Sequence, residues 1–181
     1  MNHEPCNTER ICAVHRELGI PPDYASTHRM SLQLEAALLV AAGYTLGGRA
    51  LQLTPEAWEA WQQLCAAAAS EGVPLLLLSG FRGVDHQTEI IRRKLAAGQR
   101  IDDILRVNAA PGYSEHHTGR AVDIGTPDTP LLEESFAGTA AFRWLEAQAD
   151  QFGFLLSYPR DNAQGIAFEP WHWCWQNAAE R

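Results

Sequence analysis

The sequence lacks the features of membrane-spanning, secreted and nucleic-acid-binding proteins. No apolar run approaches the ~20 residues that cross a bilayer, and charged side chains interrupt residues 1–20, where a secretion signal needs an apolar core. Basic residues are few: 14 Lys and Arg against 22 Asp and Glu give a net charge of -8, which opposes binding to phosphate backbones. The densest basic run, Arg92-Arg93-Lys94, lies in a helical pattern and is interpreted as a solvated helix face. We expect no nucleic acid partner, no transmembrane segment and a cytoplasmic location, or a periplasmic one if a leader was removed.

Cysteine is also scarce, and its spacing excludes a zinc knuckle. The four cysteines are Cys6, Cys12, Cys65 and Cys174, and they have no paired short spacing. A protein without a secretion signal normally keeps its thiols reduced. We therefore expect free thiols, with a local disulfide or metal clip between Cys6 and Cys12 as the alternative.

Length and composition are those of one ordinary globular domain. The chain has 181 residues, of which 46% are hydrophobic and 20% charged. A polar start and an apolar stretch over Ser31 to Ala42 indicate an arm that packs on the rest of the chain. We predict a single domain over 1–181, with an N-terminal arm over 1–50 and a core over 51–175.

Helical spacing and capping residues predict the helices of this core. Thr54 as N-cap and Pro55 at the first helical position begin a helix that ends near Gly72. A second predicted helix has Asp85 as its cap and runs to about Ala97. Further helical segments are predicted over Ile101 to Val107 and over Thr139 to Phe152.

Short apolar runs predict four strands, at Val73 to Leu78, Ala121 to Ile124, Phe154 to Tyr158 and Glu169 to Trp175. In the last run the tryptophans at 171, 173 and 175 alternate with His172 and Cys174. Burying the tryptophan face would turn His172 into a cleft, although one tryptophan could form a cleft wall. Pro170 places Glu169 in a loop or bulge before pairing begins. The element order predicts an α+β fold with a small antiparallel sheet and helices packed around it.

Three side chains have the chemistry of a zinc site. His116 and Asp123 lie seven positions apart across Gly119, and His172 faces a cleft of the same kind. Two imidazoles and one carboxylate leave a fourth zinc position open, which is typical of catalytic rather than structural zinc. Glu169 is the candidate carboxylate for carrying a proton from water to a leaving amine. His117 and Cys174 stay open as alternative contributors to the site.

Two motifs connect these residues with a family. Ser114-x-His116-x-x-Gly119-x-Ala121-x-Asp123, followed by Glu169-x-Trp171-His172, resembles the two signatures of the LAS zinc metallopeptidases. The flanking Ser79-Gly80-Phe81-Arg82 and Leu156-Ser157-Tyr158-Pro159 are similar to segments of VanY-type D-alanyl-D-alanine carboxypeptidases. The resemblance implies a LAS/hedgehog-like fold with zinc in a central cleft. It departs from the commoner family pattern at Phe81 and Gly83, where Tyr and Ser are frequent.

The same resemblance implies roles for individual residues. One Zn²⁺ would be held by His116, Asp123 and His172, with Glu169 as general base and acid. Arg82 would stabilise an oxyanion or hold the substrate carboxylate. The remaining predicted site residues, Gln87, Ser114 and Tyr158, would line the substrate cleft.

The implied activity is removal of the C-terminal D-alanine from peptidoglycan stem peptides or muropeptide precursors. Specificity could be D,D, acting on pentapeptides, or L,D, acting on tetrapeptides. The alternatives are an L-alanyl-D-glutamate endopeptidase and a non-catalytic zinc-containing binding module similar to the hedgehog signalling domain. Glu169 favours hydrolysis, because a binding module has no need of a carboxylate beside the ion.

Overall fold

A computed structural model describes residues 7–45 and 47–177 of the chain. Its helices are α1 (Asn7–Leu18), α2 (Tyr24–Thr27), α3 (Pro55–Ser70), α4 (Val84–Ala96), α5 (Ile101–Leu105) and α6 (Ala140–Gln148), and 3-10 turns span Glu115–Thr118, Glu134–Gly138 and Ala149–Phe152. Among the helices of these residues, none has the length and apolar character that crossing a membrane requires.

The strands form two antiparallel sheets. β1 (Val40–Tyr44) and β2 (Ala50–Leu53) make a hairpin, while β3 (Leu76–Ser79), β4 (Ala121–Gly125), β5 (Phe154–Leu156) and β6 (His172–Trp175) form a four-stranded sheet in the order β3-β4-β6-β5. The predicted α+β fold with a small antiparallel sheet is confirmed. The central pair β4 and β6 positions the site, because its register places Asp123 opposite His172.

Two hydrophobic clusters support these elements. One lies between the sheet and the helices α3 and α6, and it contains Leu64, Val122, Leu145 and Trp173. The other includes Tyr24 from the N-terminal segment and Ile91 from α4. The N-terminal segment thus packs on α4, and β2 of the hairpin begins at residue 50, so the division into an arm over 1–50 and a core over 51–175 stays a prediction.

Helix α3 begins as predicted, but the predicted start of α4 is wrong. The Thr54 side chain accepts a hydrogen bond from the Ala57 amide, with Pro55 in the first turn. In α4 the N-cap is Gly83 rather than Asp85, which lies inside the first turn and pairs with Arg10. The Val84 amide instead donates to the Glu35 carboxylate at 2.6 Å. A carboxylate 49 positions away therefore supplies the cap that local spacing assigned to Asp85.

The last strand begins later than predicted, which sets the position of Glu169. Pairing starts at His172, and the amide of His172 donates to the Glu169 carbonyl at 3.1 Å. Glu169 thus lies in a turn before the strand, as Pro170 indicated. Trp173 is buried in the core, whereas Trp171 is half-buried and also lines a cleft. The strand predicted over Phe154 to Tyr158 is shorter, because β5 ends at Leu156.

Of the cysteines, Cys12 and Cys65 have free thiols, and the Cys174 thiol donates a hydrogen bond to the Trp175 carbonyl at 3.8 Å. Cys6, and with it the possible clip to Cys12, lies outside the described residues.

Candidate metal centre and active site

The residues His116, Asp123 and His172 come together and are all buried. Each offers one ligand atom, and these atoms lie within 4.8 Å of one another. Asp123 lies on β4 and His172 opposite it on β6, while His116 comes from the 3-10 turn that precedes β4. We call these three side chains the metal wall.

A glycine carbonyl orients His116. Its Nδ1 donates to the Gly80 carbonyl at 2.7 Å, and its Nε2 lies 3.3 Å from Asp123 Oδ2. A side chain at Gly80 would place its Cβ 2.6 Å from the carbonyl oxygen of Gln52, so only glycine permits this approach to β2. Burial lowers the pKa of His116 to about 4, and the imidazole is therefore neutral, as metal ligation requires.

His172 is held from both ring nitrogens by carboxylates. Its Nδ1 lies 3.1 Å from Asp123 Oδ1, and its Nε2 lies 2.9 Å from Glu115 Oε2. Burial alone would lower the pKa of His172, but hydrogen bonds to the two carboxylates raise it to about 10. Burial would likewise raise the pKa of Asp123, but the two imidazoles outweigh it and hold that pKa well below its usual range.

Glu115 was missed by the sequence analysis. It lies beside a predicted ligand in the first motif, but its partner His172 is 57 positions away, and no local spacing indicates that contact. The one available signal was its place in the Ser114-Glu115-His116 run. A carboxylate adjacent to a metal ligand is a candidate partner for another ligand.

Of the two neighbouring histidines, the structure brings His116 and not His117 into the metal wall. His117 Nδ1 donates to the Arg82 carbonyl at 2.6 Å, and His117 Nε2 accepts from the Gly112 amide at 3.0 Å. Both ring nitrogens are therefore engaged in joining loops, and His117 has no lone pair for an ion. Cys174 is buried but does not belong to the group of ligand atoms.

Glu169 lies beside the metal wall. Its Oε2 is 4.0 Å from His172 Nδ1, the nitrogen that faces Asp123. The Glu169 amide donates to the Tyr158 carbonyl at 3.1 Å, which fixes the turn that carries it. Burial raises the pKa of Glu169 to about 7, opposed by His172 and reinforced by Asp123. A carboxyl group with a pKa near neutrality is suited to both accepting and returning a proton.

These groups open into a cleft of about 390 Å³. Ser114 and Tyr158 line it as predicted, and the Tyr158 ring packs on His172 with ring centroids 4.9 Å apart. Gln87 does not line the cleft. It is buried behind Ala109, a residue that lines the cleft, and its Nε2 donates to the Ala109 carbonyl at 2.7 Å.

Two cations, Arg82 and Lys94, also line the cleft; we call them the cationic wall. The Arg82 Nε is buried and has no hydrogen-bond partner among the described residues. Burial lowers the pKa of both groups, and the positive charge of Arg82 lowers the pKa of Lys94 further. The interpretation of the basic run as a solvated face is wrong for Lys94, which is half-buried, and correct for the exposed Arg92 and Arg93.

The donor set of the metal wall fits a zinc ion. Two imidazole nitrogens and one carboxylate oxygen supply three ligands and leave one position open. The nitrogens of His116 and His172 that point away from this group donate to a carbonyl and a carboxylate, as is usual for metal-binding histidines. With Glu169 beside the open side, the arrangement can support metal-assisted hydrolysis.

Comparison with known proteins gives matches over most of this core. The pattern of the VanY family, described as D-alanyl-D-alanine carboxypeptidase, matches residues 50–178. A D-alanyl-D-alanine carboxypeptidase of Enterococcus faecalis is 34% identical over 122 residues, which are 62% of this chain and 44% of that protein. The chain therefore spans less than half the length of this relative.

Two solved structures share the fold. One is the LD-carboxypeptidase LdcB, with 28% identity, a TM-score of 0.65, and coverage of 80% of this chain and 65% of that one. The other is VanY from a VanB-type resistance cassette, a D,D-pentapeptidase solved in complex with Zn(II). It has 28% identity and a TM-score of 0.60, and the match covers 79% of this chain and 80% of that one.

Proposed function

The chain belongs to the VanY family of D-alanyl-D-alanine carboxypeptidases, and from this premise we propose that it is a zinc-dependent carboxypeptidase that removes the C-terminal D-alanine from peptidoglycan stem peptides. The observation that carries the proposal is the buried group of His116, Asp123 and His172 with Glu169 next to it. A binding module would need the three ligands but not the additional carboxylate of Glu169.

In this proposal His116 Nε2, Asp123 and His172 Nδ1 would hold one Zn²⁺, which when bound would supply Lewis acidity toward a peptide carbonyl and activate water. Glu169 accepts the proton of the attacking water and delivers it to the departing D-alanine nitrogen. Its buried turn keeps the carboxylate beside the metal wall. A positioned acid–base group of this kind contributes about 10²–10⁴-fold to the rate.

The cationic wall supplies positive charge for the substrate. Arg82 stabilises the developing oxyanion or holds the terminal carboxylate, and its unpartnered Nε supports a role in binding an anionic group. Ser114 and Tyr158 contact the peptide from the lining of the cleft. A direct substrate contact by Gln87 stays a prediction, since in the structure Gln87 supports Ala109.

Both stem-peptide specificities have support among the similar structures, because LdcB is an LD-carboxypeptidase and VanY a D,D-pentapeptidase. Soluble muropeptide precursors in the cytoplasm are the substrates and location that we propose. The L-alanyl-D-glutamate endopeptidase remains the alternative to be excluded by experiment.

The test is mass spectrometry of matched muropeptide pentapeptide and tetrapeptide after incubation with zinc-loaded protein. Loss of one alanine from the pentapeptide alone would establish D,D specificity, and trimming of the tetrapeptide would establish L,D activity. The control is Glu169→Ala, which we expect to keep its zinc while turnover falls by about 10²–10⁴-fold.

Either of two results would contradict the proposal. If Glu169→Ala turned over substrate at the original rate, its role as acid–base group would be wrong. If zinc-loaded protein left both muropeptides intact, carboxypeptidase activity would be wrong, and cleavage between L-alanine and D-glutamate would be tested next.

A further inference from the structure

We propose that Glu115 is a positioning residue of the metal site, which holds His172 with Nδ1 directed at the ion. The inference rests on the proposed metal site and deepens it. It concerns how the chain prepares one ligand for the metal rather than what the substrate is.

The contacts of Glu115 are direct. Its Oε2 lies 2.9 Å from His172 Nε2, and the same oxygen accepts a hydrogen bond from Ser157 Oγ at 2.5 Å. The His172 side chain is 4% exposed and that of Glu115 25%. A mostly buried carboxylate is therefore anchored on one side by a hydroxyl and directed on the other at the imidazole.

This contact decides which nitrogen of His172 can bind a metal. An ionised carboxylate only accepts hydrogen bonds, so Nε2 must carry the proton that it donates to Glu115. Nδ1 donates to Asp123 at 3.1 Å in the same way, and a metal bound at Nδ1 would take the place of that proton while Nε2–H stays on Glu115. Packing of the Tyr158 ring restrains the plane of the imidazole but does not distinguish its two nitrogens. Glu115 distinguishes them, because its carboxylate accepts the hydrogen bond of Nε2 and leaves Nδ1 directed at Asp123.

Glu115 lies away from the substrate. It is absent from the lining of the 390 Å³ cleft and instead borders a separate groove of about 180 Å³, together with Arg29, Ser157 and Gln164. The His172 ring stands between Glu115 and Asp123, since its two nitrogens contact these two carboxylates. The described contact through which Glu115 would act on the metal site is therefore its hydrogen bond to His172.

The test measures zinc affinity without substrate, by competition with a chelator, for Glu115→Ala, Glu115→Gln and Ser157→Ala. Loss of a carboxylate partner of a metal-binding histidine typically weakens metal affinity by about 10–100-fold, and we expect this for Glu115→Ala. The effect of Glu115→Gln should be smaller, because an amide oxygen can still accept from Nε2–H. The effect of Ser157→Ala should be smaller still.

The matched control is Glu134→Gln, which also removes one carboxylate near the cleft. Glu134 pairs with Arg160 at 3.2 Å, and none of its described contacts is with His172. We expect its zinc affinity to equal that of the original protein. Nitrogen NMR of the zinc-loaded proteins adds a readout that a general loss of stability would not change. In the zinc-loaded original protein His172 should be protonated at Nε2, and in Glu115→Ala this Nε2 proton should exchange faster with water because its acceptor is lost.

The inference is wrong if Glu115→Ala and Glu115→Gln bind zinc within about twofold of the original protein, well below the usual effect of such a partner. It is also wrong if Glu134→Gln weakens zinc binding equally. If Glu115→Ala does not fold, the comparison of Glu115→Gln with Glu134→Gln decides the question. Failure of the proposed function is distinguishable, because protein that binds zinc but leaves both muropeptides intact would still show the effect of Glu115.

Discussion

The metal wall and the cationic wall of the cleft differ in how completely their polar groups are partnered. On the metal wall both ring nitrogens of His116 and of His172 lie near an oxygen atom, and Asp123 lies near both rings. On the cationic wall the Arg82 Nε has no hydrogen-bond partner, and Lys94 has no ion pair, within residues 7–45 and 47–177.

The difference shows that the two walls are prepared for different ligands. Oxygen and nitrogen atoms that converge on one point, each oriented by a second group, are an arrangement for a cation. Buried or half-buried positive groups without carboxylate partners are unfavourable until an anion approaches. A peptide would offer the cationic wall negative charge of this kind, from its free terminal carboxylate and from the oxygen of a polarised carbonyl.

The largest effect is expected from a substitution that disrupts the metal wall and leaves the cationic wall intact. His116→Ala removes one of three ligands, so we expect loss of stoichiometric zinc and of turnover together. Zinc content by elemental analysis of the purified protein measures the first, and the muropeptide assay the second.

His117→Ala is the matched control at the neighbouring position. Its two hydrogen bonds join loops rather than bind an ion, so it should keep its zinc while the free energy of unfolding falls by about 1–3 kcal/mol for groups left without partners. Zinc loss in His117→Ala with zinc retained in His116→Ala would reverse our assignment of the ligand.

The second prediction tests what Arg82 contributes to the reaction through its Nε, which has no hydrogen-bond partner among the described residues. Arg82→Lys keeps a positive charge but removes the Nε donor and the planar guanidinium. If Arg82 stabilises the oxyanion, kcat should fall by about 10²–10³-fold with zinc content unchanged. A rise in KM at constant kcat would instead assign Arg82 to the substrate carboxylate. Unchanged kcat and KM would show that the cationic wall works without its guanidinium.

The smallest effect is expected at Lys94. Lys94→Met should lower kcat/KM for a peptide with a free C-terminus by about fivefold, since a partly solvated charge pair contributes up to ~1 kcal/mol. The same peptide with an amidated C-terminus should be cleaved equally by the variant and the original protein. Arg93→Met, one position away on the exposed face, is the control and should change neither rate. Equal losses on both peptides would contradict recognition of the carboxylate by Lys94.

Much of the fold followed from local patterns. Thr54 and Pro55 marked the start of α3, and the alternation along β6 placed Trp173 in the core with His172 on the other face. Pro170 correctly placed Glu169 outside the strand. These predictions succeeded because caps, proline restrictions and strand alternation depend on neighbours in the sequence.

Predictions failed where a distant group replaced a local one. Asp85 has the chemistry of a helix cap, but the Val84 amide donates its hydrogen bond to Glu35, and Asp85 pairs with Arg10. Lys94 continues a basic run, yet the turn of α4 brings it to the cleft while Arg93 stays exposed.

By itself the sequence determined the metal-binding residue types, their order and the strand that presents His172, because these depend on short motifs and on alternation along one strand. Only the tertiary structure decided that His116 rather than His117 joins Asp123 and His172, that Glu115 contacts His172, and that Lys94 lines the cleft. Each of these outcomes depends on hydrogen bonds or packing between residues 35 or more positions apart, and such contacts form only when the sheet and its loops are assembled.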